Sequence, residues 1–228
     1  MDFAAARINM VEGQVRTGDV TDLRLLAVMR ELPRERFAPP DQAGLAYADL
    51  DLPLAVARPP PGGPSASAPR AMLRGRTLAK LIQAAEIEPA DRVLDVGSGT
   101  GYGAAVLAGL AAEVVALEED SGLAAFAAGA LGQCGIRNAA LVTRPLASGW
   151  PAAAPYAVIV LEGATEIVPR SLFGQLASGG RLVCIEGRGP SARAMVYRAA
   201  DGGVSGRPVF DAAAPLLPGF AAAREFVF

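Results

Sequence analysis

Apolar positions along the first ninety residues recur at helical spacing, with irregular stretches between. Residues 1–32 predict helix: Thr21 or Asp22 can cap a segment carrying Leu25, Leu26, Val28 and Met29, and Pro33 stops it. Arg34 to Val56 shows no period and is broken by Pro39, Pro40 and Pro53, so it reads as irregular. Arg58 to Pro69 is rich in Pro, Gly and Ser and reads as an exposed loop. Leu78, Leu81, Ile82 and Ala85 then fall at i, i+3, i+4 and i+7, one face of a helix that Pro89 ends.

From Arg92 the pattern changes to short apolar runs alternating with helical segments. Arg92 to Val96, Glu113 to Leu117, Ala139 to Thr143, Tyr156 to Leu161 and Arg181 to Glu186 predict five strands. Between them, Tyr102 to Leu110, the stretch marked by Leu123, Phe126, Ala127, Ala130 and Leu131, and Val168 to Ala177 predict helices. Gly179-Gly180 stops the last helix. Ala194 to Arg198 and Val204 to Phe210 flank Asp201-Gly202-Gly203, a hairpin signal. Strand–helix alternation predicts an α/β fold: a parallel sheet with helices on both faces and an antiparallel edge. The chain reads as one domain over 1–228, with a helical and irregular extension over 1–70 and a core over 71–228.

The candidate chemistry lies at the first strand–turn–helix junction, Val93-Leu94-Asp95-Val96-Gly97-Ser98-Gly99-Thr100-Gly101-Tyr102. Open α/β sheets bind ligands at the carboxyl ends of their strands, where the strand order reverses. Glu118 lies 21 positions after Gly97, at the end of the second strand, where a carboxylate can accept hydrogen bonds from both hydroxyls of a ribose. A dinucleotide fingerprint would need glycine at position 102, which holds Tyr102, and a P-loop would need a lysine that this turn lacks. S-adenosylmethionine has no phosphate but carries an ammonium group, and Asp95 supplies a carboxylate for it, directly or through water. Asp95, Val96, Gly97, Ser98, Gly99, Thr100, Gly101 and Glu118 are therefore the candidate cofactor-binding set. The competing reading is a tight turn beside a solvated Glu118. It leaves the strand, the acid, the helix and the second acid as coincidence.

Composition narrows the chemistry further. The chain has no histidine, which removes imidazole as general base and as metal ligand. Cys134 and Cys184 are too few for an all-cysteine zinc site and are expected as buried thiols; no metal site is expected. A net charge of −2 without a basic run offers no general attraction for nucleic acid. No apolar run reaches the roughly 18 residues of a membrane span, and Met1-Asp2-Phe3 lacks the basic start of a signal peptide, so a cytoplasmic protein is expected.

Several blocks resemble the protein-L-isoaspartate O-methyltransferase family along nearly the whole chain. They are residues 10–16, Pro33 to Pro39, Ala46 to Asp49, Leu52-Pro53-Leu54, Val93 to Leu107, Gly149-Trp150-Pro151 with Ala154-Pro155-Tyr156, and Leu176 to Val183. The resemblance implies a class I S-adenosylmethionine-dependent methyltransferase with a Rossmann-like, seven-stranded, mostly parallel sheet and an acceptor-side N-terminal extension. It implies S-adenosyl-L-methionine as cofactor and a protein or peptide carboxylate, of the kind repaired in isoaspartyl residues, as acceptor. Such an acceptor is ionised at pH 7, since an ordinary aspartate titrates at about 3.9, and it needs no base. That agrees with the missing histidine, and no catalytic residue is singled out.

Three departures accompany the resemblance. The family's Gly-Gln-Thr-Ile-Ser acceptor segment falls at Pro59 to Gly63 counting forward from Pro53, or at Pro69 to Leu73 counting back from Pro89, and neither stretch carries it. The mismatch implies an inserted loop, in which Ser65 and Ser67 either replace the lost hydroxyl or, as is expected of loop serines, are only solubilising. Arg144-Pro145-Leu146 replaces the family's Gly-Asp-Gly near the adenine, and Glu162-Gly163-Ala164 replaces Thr-Ala-Ala. Glu162 either touches the cofactor or acceptor, or is an exposed strand-end acid. A working carboxyl methyltransferase is expected; the alternative is a cofactor-binding homologue with altered acceptor or no activity, acting as an interaction module.

Overall fold

The computed structural model describes residues 1–55, 70–200 and 203–222. The Pro/Gly/Ser stretch with Ser65 and Ser67, and the hairpin tip at 201–202, lie outside them.

The N-terminal helix expected over 1–32 is two helices. Helix α1 (Phe3–Met10) is capped by the Asp2 carboxylate, which accepts from the Ala5 amide. It continues as one wide turn over Val11–Val15 and ends where Asp19 takes a left-handed conformation with φ +69°. Helix α2 (Leu23–Glu31) starts at Asp22, whose side chain accepts from the Arg24 and Leu25 amides and so takes the cap rather than Thr21. Strands β1 (Leu52–Leu54) and β2 (Arg70–Met72) then pair antiparallel in a small sheet of their own. Pro53 sits in this strand because a two-stranded sheet is all edge, so its missing N–H costs no ladder bond. Helix α3 (Gly75–Ala84) buries Leu78, Leu81 and Ile82 and ends well before Pro89, with a left-handed Glu86, φ +50°, just beyond its C-cap Ala85.

The main sheet comprises β3 (Arg92–Val96), β4 (Glu113–Glu118), β5 (Ala139–Thr143), β6 (Tyr156–Thr165), β7 (Leu176–Glu186), β8 (Arg193–Ala200) and β9 (Gly203–Asp211). Their spatial order is β5-β4-β3-β6-β7-β8-β9, with β3 to β7 parallel and β8 and β9 antiparallel. Helices α4 (Tyr102–Ala108), α5 (Ser121–Gln133) and α6 (Arg170–Phe173) fill the connections. This is the expected seven-stranded, mostly parallel sheet with a hairpin edge and a helical extension.

Successive residues of β3 feed opposite faces of the sheet. Val93 joins a core with Met10, Leu25, Leu26, Met29 and Tyr102, while Leu94 and Val96 pack with Leu117, Ile159, Leu161, Leu217 and Phe220. The helix expected over Val168–Ala177 shrinks to one turn between Pro169 and Gly174, and Leu176 is already paired with Tyr156. Strand β6 runs four residues past the expected Leu161 because the C-terminal segment gives its backbone partners. The Ala164 amide donates to Pro215 O at 2.8 Å, and Ala164 O accepts from the Leu217 amide at 2.9 Å.

Candidate cofactor site

Strand β3 has β4 on one side and β6 on the other, so the order of the sheet reverses at its carboxyl end. The glycine turn leaves from that point. The Gly97 and Ser98 amides both donate to Leu117 O, at 2.8 and 3.2 Å, and the Gly101 amide closes the turn on Ser98 O at 2.8 Å. Gly97 and Gly101 have φ of +81° and +89°, values that penalise any residue with a Cβ. At Gly101 the packing is tight as well: a Cβ would lie 3.0 Å from Ala127 Cβ and 3.4 Å from its Cα, so α5 would have to give by a few tenths of an ångström.

Glu118 is completely buried, which removes the reading of it as a solvated strand end. Its Oε2 accepts from the Gly99 amide at 2.8 Å, and its Oε1 from the Glu119 and Asp120 amides at 2.9 and 3.0 Å. The Arg70 guanidinium adds a fork, Nη1 to Oε1 at 3.1 Å and Nη2 to Oε2 at 2.7 Å. The same Nη2 also donates to Gly97 O at 3.0 Å. Nothing in the sequence marks Arg70, because 48 residues separate the partners and only folding joins them.

Asp95 is also fully buried, and among the described residues no amide, guanidinium or hydroxyl donor reaches either of its carboxylate oxygens. Facing it is Glu162, buried within β6, so the exposed strand-end reading of that residue is overturned. Glu162 lies over the start of α4, where a Cβ at position 103 would come 1.6 Å from its Oε1; only Gly103 admits it. Burial pushes the Asp95 carboxyl up to about 7, while the neighbouring Glu162 acts to lower it. Burial, then the charge of Asp95, raise Glu162 well above the usual carboxylate range. Two buried carboxyl groups this close disfavour joint ionisation, so both are pushed toward the protonated state.

Around these acids, Val96 lies in the core under the turn, and the buried Ser98 hydroxyl has no partner among the described residues. The Thr100 hydroxyl sits 3.7 Å from Met72 Sδ, against β2. Strand β2 thus lies where counting back from Pro89 placed the acceptor segment, with Arg70 and Met72 touching the turn; Pro59 to Gly63 lie outside the described residues. In the Arg144-Pro145-Leu146 loop, the Arg144 amide donates to Glu118 O and the Leu146 amide to Glu119 Oε2, at 3.2 and 3.3 Å. Cys134 and Cys184 are free thiols, and no group of acids and cysteines among the described residues could hold a metal.

A family model for protein-L-isoaspartate(D-aspartate) O-methyltransferase matches residues 6–211. The chain belongs to this family. Protein-L-isoaspartate O-methyltransferase 1 of Rhodopseudomonas palustris strain HaA2 is 40% identical over 194 residues, 85% of this chain and 74% of that protein. The enzyme named protein-L-isoaspartate O-methyltransferase from Koribacter versatilis is 39% identical over 181 residues, 79% and 76% of the two chains. A solved protein-L-isoaspartate O-methyltransferase superposes with a TM-score of 0.76 at 23% identity, over 93% of this chain and 66% of the other. A Plasmodium falciparum protein solved in complex with S-adenosyl-L-homocysteine gives 0.72 at 17% identity, over 92% and 97%. These structures share the fold. The family match ends at Asp211, so the C-terminal segment over β6 lies beyond it.

The residues present fit the family's cofactor. The unpartnered Asp95 oxygens suit an ammonium group. The buried Glu118 carboxylate, bonded to the Gly99 amide and to Arg70, has the chemistry to accept from a ribose diol.

Proposed function

We propose that this chain is an S-adenosylmethionine-dependent protein carboxyl O-methyltransferase of the isoaspartate type. One observation carries the reading. At the switch point of the sheet, a glycine turn of this family's pattern is flanked by two buried acids, Asp95 and Glu118, each with the chemistry of one end of the cofactor. S-adenosyl-L-methionine supplies a methyl group on a sulfonium. Asp95 would hold its ammonium, Glu118 its ribose hydroxyls, and the turn from Val96 to Gly101 its backbone-facing side. Glu162, buried beside Asp95, bears on the charge on that side of the site.

The acceptor is a protein or peptide carboxylate rather than nucleic acid. It is ionised without help, so the contribution required of the chain is to hold it in place and keep water out. Core residues from α1 and α2 pack with those of the main sheet, which supports one domain over the whole chain with an acceptor-side extension. The two free thiols suit a cytoplasmic location. No helix among the described residues is long and apolar enough to cross a membrane.

The test is labelling of a peptide digest and of a short isoaspartyl peptide with methyl-labelled S-adenosylmethionine, followed by mild base. Label released by base from the digest is the expected result. Binding of the cofactor without transfer to any peptide would replace the reading with that of a cofactor-binding module.

A further inference from the structure

The acid assigned to the ribose is already engaged by the chain itself. Arg70 presents two parallel N–H donors to the two oxygens of Glu118, the pattern in which a vicinal diol would meet the same carboxylate. Both side chains are buried, so little solvent competes for the pair. Arg70 Nη2 also takes Gly97 O, and the Gly97 backbone is covered by Leu217: a Cβ there would lie 2.9 Å from Leu217 Cδ2 and 3.4 Å from Arg70 Nη2.

We propose that Arg70 keeps the cofactor site closed by standing in for the ribose diol on Glu118, so that adenosine-bearing ligands bind only after its side chain swings out. The inference rests on the cofactor reading above and adds a competitor to it. Arg70 is carried by β2, which pairs with β1 through three residues each, outside the main sheet. A two-stranded sheet of that size is marginal alone, and its movement breaks no bond of the main sheet. When Arg70 leaves, Glu118 keeps the Gly99, Glu119 and Asp120 amides, which hold the carboxylate in place for the ligand. The apparent affinity for the cofactor is then the intrinsic affinity reduced by the fraction of molecules with Arg70 out.

Calorimetric titration of S-adenosylhomocysteine into the parent and into Arg70→Gln tests this. The expected result is binding about tenfold tighter, or more, in the variant, because the closed state no longer competes. Equal or weaker binding in Arg70→Gln overturns the proposal and leaves the cofactor reading intact, whereas binding to neither protein overturns both. If the variant does not fold, ¹⁵N-arginine spectra of the parent decide. The Arg70 Nε–H signal, shielded in the buried pair, is expected to gain rapid solvent exchange when the ligand saturates the site. An unchanged signal means that Arg70 stays on Glu118, and overturns the proposal.

Discussion

At Asp95 and Glu162 two carboxyl groups lie close together in the interior, and their raised proton affinity ties the stability of the fold to pH. Asp95 also faces the charges of Glu118 and Arg70, and Glu162 those of Arg70 and Arg34, but burial is the largest influence on both. In the unfolded chain these groups titrate at about 3.9 and 4.3. Between those values and the raised native ones, the native state binds more protons than the unfolded state, so stability falls as pH rises. The contribution is complete below about pH 4 and is lost as pH climbs through about 7 for Asp95, with the raised Glu162 acting in the same direction. The urea midpoint is therefore expected to fall from pH 5 to pH 8, and Glu162→Gln, which removes one of the two titrating groups, is expected to flatten that slope. A midpoint that rises over the same range would show that the pair is ionised in the native protein. At this scale the sequence shows Asp95 and Glu118 through their spacing along one strand–turn–helix unit. It leaves Glu162 open, because burial at a strand end depends on whether the strand goes on, and it hides Arg70.

The element that settles whether β6 goes on is the segment from Pro215 to Phe220. It bonds Ala164 on both sides, and Phe220 O accepts from the Glu166 amide at 2.9 Å. Leu217 and Phe220 are buried against the same face of the sheet as Leu94 and Leu161. Phe220→Ala is expected to cost about 3–5 kcal/mol, the usual range for emptying an aromatic from a core, and the loss is measured by urea unfolding. A change below about 1 kcal/mol, the level of an ordinary exposed position, would mean that the segment is only laid on the surface. Such an element leaves little trace in the sequence: Ala212-Ala213-Ala214-Pro215 has no period of either kind. The same holds for β1 and β2, three residues each, too short for alternation to show. Strands β3 and β4 are legible to within a residue, because parallel strands buried on both faces read as continuous apolar runs bounded by turns; the partly exposed edge strand β5 is as legible from its own apolar run, Ala139 to Val142. The predicted helix at 168–177 fails for the converse reason, since its apolar residues also suit the start of a strand and Gly174 breaks it early.

Across the whole molecule, the cofactor turn gathers at the carboxyl edge of the parallel strands, and the opposite edge is built separately. There the loop before β6 folds under the strand starts. Arg92, the first residue of β3, donates to Ala153 O at 3.2 Å; the Trp150 amide donates to Gln175 Oε1 at 2.8 Å, and Trp150 O accepts from the Tyr156 hydroxyl at 2.7 Å. Trp150 is the chain's one tryptophan. Its half-buried ring is thus an optical reporter at the end of the sheet remote from ligand chemistry. Its emission is expected to shift to the red on urea unfolding and to stay constant when S-adenosylhomocysteine is titrated at neutral pH. Intrinsic fluorescence then follows folding without interference from binding, and a ligand-dependent change in it would show that opening the cofactor edge is transmitted along the strands to the far side.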